Sequence, residues 1–207
     1  YLTPMTGCVI ENNGTVDKFI GDALMAFWNA PIDDNDHREN SLNCAMQMFE
    51  LLDNLNVELK DKNLELRMGI GINTGDVLVG NMGSNQRFDY TCLGDAVNLA
   101  ARLESQTKGY KVGLLIGDET RQALSDRFSF CELDMIAVKG KTEPVGIYEV
   151  LDFHNENSYP NLVDALGIFN DGYRSWNEGK WDQAVKLFKN VQKINPQDKA
   201  AQLYLDR

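Results

Sequence analysis

DKFIGDALMAFW, residues 17–28, holds two short apolar runs parted only by Gly21-Asp22. A two-residue polar break containing glycine between strand-length runs is a hairpin signal. Residues 16–20 and 23–28 are therefore read as paired strands, with Asp22 on the turn between them. Upstream, residues 1–10 carry apolar side chains without a starting signal and read as the end of a helix. Downstream, Asp36 and Glu39 have capping-box spacing, and Leu42, Ala45, Met46, Phe49, Leu52 and Leu59 suit one helix face.

A second pair of strands is predicted over 66–82 and 88–93, the first interrupted by Gly71, Gly75 and Gly80, where backbone bends or closely approaches a neighbour. A helix starts near Asp95, with Ala96, Leu99, Ala100 and Leu103 on its apolar face and Gly109 after Lys108 as its stop. A strand at 111–116, a helix from Asp118, and strands at 130–138 and 145–150 complete an α/β unit with short crossovers over residues 1–151. Residues 152–160 are polar and turn-rich and read as a linker. In 161–207, Ala184-x-x-x-Phe188 with Pro196 and an upstream Gly172 resembles one tetratricopeptide repeat, and a plain helical hairpin fits those residues equally well. A lone repeat cannot bury its own face, so this tail is expected to dock on the first unit or on further helices.

Composition narrows the function classes. At 207 residues the chain has room for one domain and an appendage, and 43% hydrophobic with 25% charged residues is ordinary for a folded globular chain. The net charge of −11 is uneven: residues 1–160 hold 25 acidic and 13 basic side chains, residues 161–207 hold 6 and 7. An acidic first unit repels phosphate backbones, which argues against extended nucleic-acid binding and leaves only a local nucleotide pocket. No run reaches the ~18 apolar residues of a membrane span, and no signal-peptide pattern is present. Any membrane attachment is expected only through segments outside this sequence, with this domain cytoplasmic. Cys8, Cys44, Cys92 and Cys131 are scattered and, with only His37 and His154, give neither a zinc set nor a Cys-His nucleophile.

Four strings carry a resemblance: DKFIGDALMAFW at 17–28, GIGINTGDVLVGNMGS at 69–84, RFDYTCLGDAVNLAARLES at 87–105 and VKGKTEPVGIYEV at 138–150. In this order they resemble the class III adenylate and guanylate cyclases, and the likeness covers roughly residues 1–151. It implies an α/β (α+β) fold, a ferredoxin-like βαββαβ core whose first strand would precede Tyr1, followed by a small α-helical tail. It also implies attack of the ribose 3′-hydroxyl on the α-phosphorus of ATP, giving 3′,5′-cyclic AMP and pyrophosphate. Phosphoryl chemistry of this kind depends on positioning and on cations that neutralise oxygens.

Carried onto this sequence, the resemblance assigns Asp22 to metal binding, with two Mg²⁺ (or Mn²⁺) ions per site. The hard carboxylate oxygens on a turn suit that ion, although an Asp in a Gly-Asp turn is by itself ordinary. The family's other metal Asp would lie on the strand preceding Tyr1, so the chain in isolation is expected to be inactive. Asn98 and Arg102, four apart on one helix face, are assigned to ribose orientation and to stabilising the pentavalent phosphorus. Lys18 and Thr91 match the pair that reads adenine, the ammonium donating to N1 and the hydroxyl accepting from the exocyclic amine. Lys139 matches a lysine on the terminal phosphates. The resemblance further implies a homodimer in which Asp22 of one subunit serves the same ATP as Lys18, Thr91, Asn98, Arg102 and Lys139 of the other. A guanylate cyclase and a non-catalytic nucleotide sensor are the competing readings; Lys18 and Thr91 speak against the first and the intact residue set against the second.

Overall fold

The computed structural model describes residues 1–136, 144–156 and 158–207. The opening helix, α1 (Leu2–Glu11), leads into the hairpin β1 (Thr15–Ile20) and β2 (Ala23–Phe27), which form a two-stranded antiparallel sheet. Gly21 takes φ +65° at the turn, a conformation that suits glycine, and Asp22 follows it exposed. The long helix α2 (His37–Leu59) comes next, then β3 (Ile70–Ile72), the hairpin β4 (Leu78–Ser84) and β5 (Arg87–Leu93), and α3 (Asp95–Tyr110). The unit closes with β6 (Leu114–Gly117), α4 (Asp118–Leu124), β7 (Phe130–Ile136) and β8 (Val145–Val150).

Four of these strands form the central sheet in the order β3-β6-β8-β7, with β3 and β6 parallel and the remaining pairs antiparallel. Alternation along β6 divides the core: Leu114 and Ile116 pack with Leu42 and Ala45 of α2, whereas Leu115 packs with Leu99 and Leu103 of α3. The fold is thus mixed α/β, as the resemblance implies, with a small helical tail. Gly71 belongs where it is because a Cβ there would come 2.2 Å from the Glu104 amide nitrogen, so β3 lies directly on the backbone of α3.

Several local expectations are corrected. The run 66–82 is two strands, β3 and β4, in different sheets. Asp36 caps α2 without a side-chain hydrogen bond; its amide donates to Asp34 Oδ1 at 2.9 Å and Glu39 pairs with Arg127, so neither half of the capping box forms. Gly109 does not stop α3, which continues to Tyr110 and ends with Lys111 in the left-handed region at φ +58°. α2 buries two faces rather than one: Cys44, Met48 and Leu52 meet Met5, Cys8 and Val9, while Leu42 and Ala45 face the sheet.

The tail comprises α5 (Leu162–Asn177), α6 (Trp181–Ile194) and α7 (Lys199–Asp206). Gly172 of α5 lets Phe188 of α6 approach, since a Cβ would sit 2.9 Å from that ring. The tail docks on the first unit: Phe169, Phe188 and Tyr204 share one buried cluster with Leu115, Leu133 and Ile147. The Tyr204 hydroxyl donates to the Leu133 carbonyl, and Arg207 pairs with Asp134 at 2.8 Å. Just after β8, Phe153 stacks on Phe49 of α2 with ring centroids 4.4 Å apart, so the segment read as a linker is held to the first unit at its start.

Candidate active site

β1 is bulged at the position that matters. Val16 pairs with Ala26 and Lys18 with Met25, so Asp17 is an extra residue without a partner on β2. A bulge re-aims side chains, and here it turns the Asp17 carboxylate inward, with its side chain 0% exposed. Thr91, one of the two buried residues of the otherwise exposed β5, donates from Oγ1 to Asp17 Oδ2 at 2.5 Å. Lys18 Nζ lies 3.2 Å from Asp17 Oδ1 with its side chain 41% exposed. That second contact is an ion pair by distance but lacks hydrogen-bond alignment, since Oδ1 is buried without a hydrogen-bond partner. Lys18 and Thr91, 73 positions apart in the sequence, are therefore brought to one carboxylate.

The negative charge of this carboxylate is felt nearby. Burial pushes the neighbouring Cys92 thiol up, and Asp17 adds to that rise.

The other predicted residues take their places on the surrounding elements. Asn98 is exposed and Arg102 half-buried on α3, one turn apart, while Leu99 and Leu103 beside them are buried in the core. The helix is anchored by one face and presents the other. Among the described residues, the side chains of Asp22, Asn98 and Arg102 make no hydrogen bond or ion pair, and none joins them to Lys18 or Thr91. Tyr1 lies near enough to Asp22 that, after burial, the Asp22 charge raises its hydroxyl pKa. Lys139 lies outside the described residues.

One carboxylate of hard oxygens, exposed and unengaged, fits an ion that keeps water and shares substrate phosphates, which is how Mg²⁺ is usually held. It does not fit an ion caged by protein alone, and no group of three His, Cys, Asp or Glu placed to hold a metal ion occurs among the described residues. A cavity does exist at the tail junction, lined by Lys111, Cys131, Glu149, His154, Tyr159 and Asp198, but Lys18, Asp22, Thr91, Asn98 and Arg102 do not line it. Four of its polar groups pair with one another, His154 Nε2 standing 3.3 Å from Glu149 and Tyr159 donating to Asp198.

Asp17 is the residue that sequence reading passed over. The signal was an aspartate inside a strand-length apolar run, a poor strand former with no turn to serve.

The model of the adenylate and guanylate cyclase catalytic domain matches residues 9–151. The chain belongs to that family, the class III cyclases, whose members generally use a divalent metal. It is 34% identical to the terminal-differentiation specific adenylate cyclase of Dictyostelium discoideum, an alignment that covers 100% of this chain and 10% of that protein. It is 35% identical to adenylate cyclase 1 of Rhizobium meliloti over 73% of this chain and 23% of that protein. The chain thus spans a small part of the relatives it matches. Among solved structures it resembles the guanylyl cyclase Cya2 (35% identity, TM-score 0.65, 72% of this chain and 76% of that one). It is likewise similar to the adenylyl cyclase CyaB from P. aeruginosa (33% identity, TM-score 0.61, 73% and 79%). The family match ends at Leu151 and lends no support to the tetratricopeptide resemblance of the tail. No helix among the described residues is long and apolar enough to cross a membrane.

Proposed function

We propose that this unit is an adenylate cyclase, forming 3′,5′-cyclic AMP and pyrophosphate from ATP within a dimer of two such chains. The observation that carries the reading is the convergence of Lys18 and Thr91 on Asp17, a donor and a hydroxyl side by side. Adenine presents an acceptor at N1 beside a donor at its 6-amino group, and this pair complements that edge. Asn98 orients the ribose. Arg102 neutralises charge that grows on the α-phosphate as the 3′-oxygen bonds to phosphorus and the bond to the pyrophosphate oxygen breaks, a task suited to a fixed guanidinium. Lys139 serves the terminal phosphates. Asp22 holds metal for the nucleotide bound by the partner chain; when bound, two divalent ions supply Lewis-acid neutralisation of the phosphate oxygens.

Dimerisation is supported by apolar side chains left uncovered on the two hairpins, Ile20 (62% exposed), Leu78 (73%) and Phe88 (63%). The likeness to a solved guanylyl cyclase favours GTP as the second reading; the Lys18 and Thr91 chemistry favours ATP.

The test uses the full-length protein, with cyclic nucleotide formation from ATP and from GTP measured with Mg²⁺ or Mn²⁺. Asp22→Ala and Arg102→Ala homodimers should each lose about 10²–10³-fold in turnover. After subunit exchange, an equal mixture should recover roughly a quarter of wild-type sites, because half the dimers are mixed and each of those keeps one intact site of two. A mixture no more active than its components would place each site within one chain, and faster turnover of GTP than of ATP would replace the adenylate reading with the guanylate one.

A further inference from the structure

Asp17 has a geometry that the proposed base readers alone do not explain. It occupies a bulge with no partner on β2, its side chain is fully buried, and it links β1 to β5 through Thr91. A buried carboxylate is costly unless paired, and here both of its contacts are to the two residues proposed to face the base. Oδ1 is left without a hydrogen bond although Lys18 Nζ is only 3.2 Å away. A carboxylate so placed acts on what it is bonded to, and its hydrogen bond runs to Thr91.

An ionised carboxylate only accepts hydrogen bonds, whereas a threonine hydroxyl donates one and accepts up to two. The 2.5 Å bond therefore has a fixed direction, and the single Thr91 proton is committed to Asp17. What remains on Thr91 Oγ1 is lone pairs. A group that meets it there must be a donor. The 6-amino group of adenine is one; the 6-oxo group of guanine or hypoxanthine would oppose lone pair to lone pair. Lys18 enforces the same choice at the neighbouring atom, since its ammonium only donates, and N1 accepts in adenine but bears a proton in the 6-oxo purines.

We infer that Asp17 is a specificity-determining positioning residue: by holding the Thr91 hydroxyl proton it makes Thr91 an obligate acceptor, and so selects 6-amino over 6-oxo purine nucleotides. This rests on Lys18 and Thr91 facing the base as proposed above. Asp17 itself touches no substrate. It acts through Thr91, as a second layer of discrimination beneath the pair.

The experiment measures the affinities of ATP and inosine triphosphate for the full-length protein with Mg²⁺. Inosine triphosphate changes the 6-position and N1 without adding the 2-amino group of guanine. Four forms are compared: wild type, Asp17→Asn, Thr91→Val and the double variant, each checked for folding by circular dichroism and thermal melting. The wild type should bind ATP at least about tenfold more tightly, because a site built for a donor leaves paired groups mismatched with an acceptor. Asp17→Asn has an amide that can donate to Thr91, which frees the hydroxyl to donate outward, so the ATP preference should fall by about tenfold. Thr91→Val should also reduce it. Adding Asp17→Asn to Thr91→Val should then change nothing further.

If Thr91→Val shifts the preference and a folded Asp17→Asn does not, Asp17 has no positioning role while the adenine reading stands. An Asp17→Asn effect that persists undiminished on the Thr91→Val background overturns the inference too, because Asp17 would not be acting through Thr91. Should neither variant shift the preference, the adenine reading itself fails and takes the inference with it. The wild-type arm needs no variant to fold: equal affinity for the two nucleotides would refute an acceptor-only Thr91.

Discussion

Asp17 in the hairpin region and Asp198 at the tail junction are both buried carboxylates that accept a hydrogen bond from a hydroxyl, yet their settings are opposite. Asp198 spends its capacity on structure. It caps α7 by accepting from the Ala201 amide at 2.7 Å and accepts a hydrogen bond from the Tyr159 hydroxyl, and burial raises its carboxyl above the ordinary value while these bonds lower it. Its backbone carbonyl accepts from the Gln192 side-chain amide at 3.1 Å as well. Asp17 instead sits behind groups that still have capacity to offer, a half-exposed ammonium and a hydroxyl with free lone pairs. Asn98 and Arg102 continue that pattern on α3. The junction pairs its buried carboxylates internally, and the other region, where the proposed site lies, leaves its polar groups open.

The contrast breaks most visibly if aromatic truncations cost the same in both regions. Phe188, 0% exposed, should lose about 3–5 kcal/mol of stability on Phe188→Ala, from lost burial and the cavity left behind. Phe88→Ala, on the exposed β5 edge, should stay within about 0.5 kcal/mol and weaken self-association instead. Urea unfolding and sedimentation of the same samples separate the two effects. A large stability loss at Phe88 would mean that the hairpins are core.

A smaller effect sharpens the account of the junction. Tyr204→Phe keeps the ring and removes the hydroxyl that donates to the Leu133 carbonyl, leaving a buried acceptor unpaired. The expected cost is about 1–3 kcal/mol, read from the same urea midpoints. No change would show that the tail is held by ring packing alone.

How far the sequence led differs between the two regions for physical reasons. The β1–β2 hairpin was legible because Gly21-Asp22 parts two apolar runs, and α3 because Leu99 and Leu103 repeat at helical spacing. The bulge was not legible: an extra residue shifts the alternation of side chains by one, but β1 has only six residues, too few for the shift to show, so nothing in the pattern marked which way Asp17 turns. The capping box at Asp36 failed because the Asp34 carboxylate accepts from the Asp36 amide in Glu39's place, and Glu39 pairs with a guanidinium brought to it only by the tertiary fold. The amphipathic pattern of the tail showed which faces of its helices were apolar but not what would cover them, and the answer, the α3 side of the central sheet, depends on a layer built from distant residues.

The smallest expected effect is a difference in pH dependence, and it tests whether the junction's polar groups are truly closed on themselves. Glu149 is buried, and burial raises its carboxyl above the ordinary 4.5, partly offset by the His154 hydrogen bond. A carboxyl raised in the folded chain binds its proton at a higher pH than in the unfolded chain. Between those two values the folded chain carries more protons, so stability falls as pH rises through the folded value. The contribution is fully present below 4.5 and lost above the raised value. Glu149→Gln removes the titration, so its urea-midpoint profile should be flatter from 4.5 upward than that of the wild type, and the difference between the two profiles isolates this one group among the many carboxylates. His154→Gln should act in the opposite sense, extending the window upward, because it removes the partner that lowers Glu149 while Asp198, whose charge raises it, remains. If wild type and Glu149→Gln gave parallel profiles, water would reach Glu149 in the folded chain, and the junction would be as open as the hairpins.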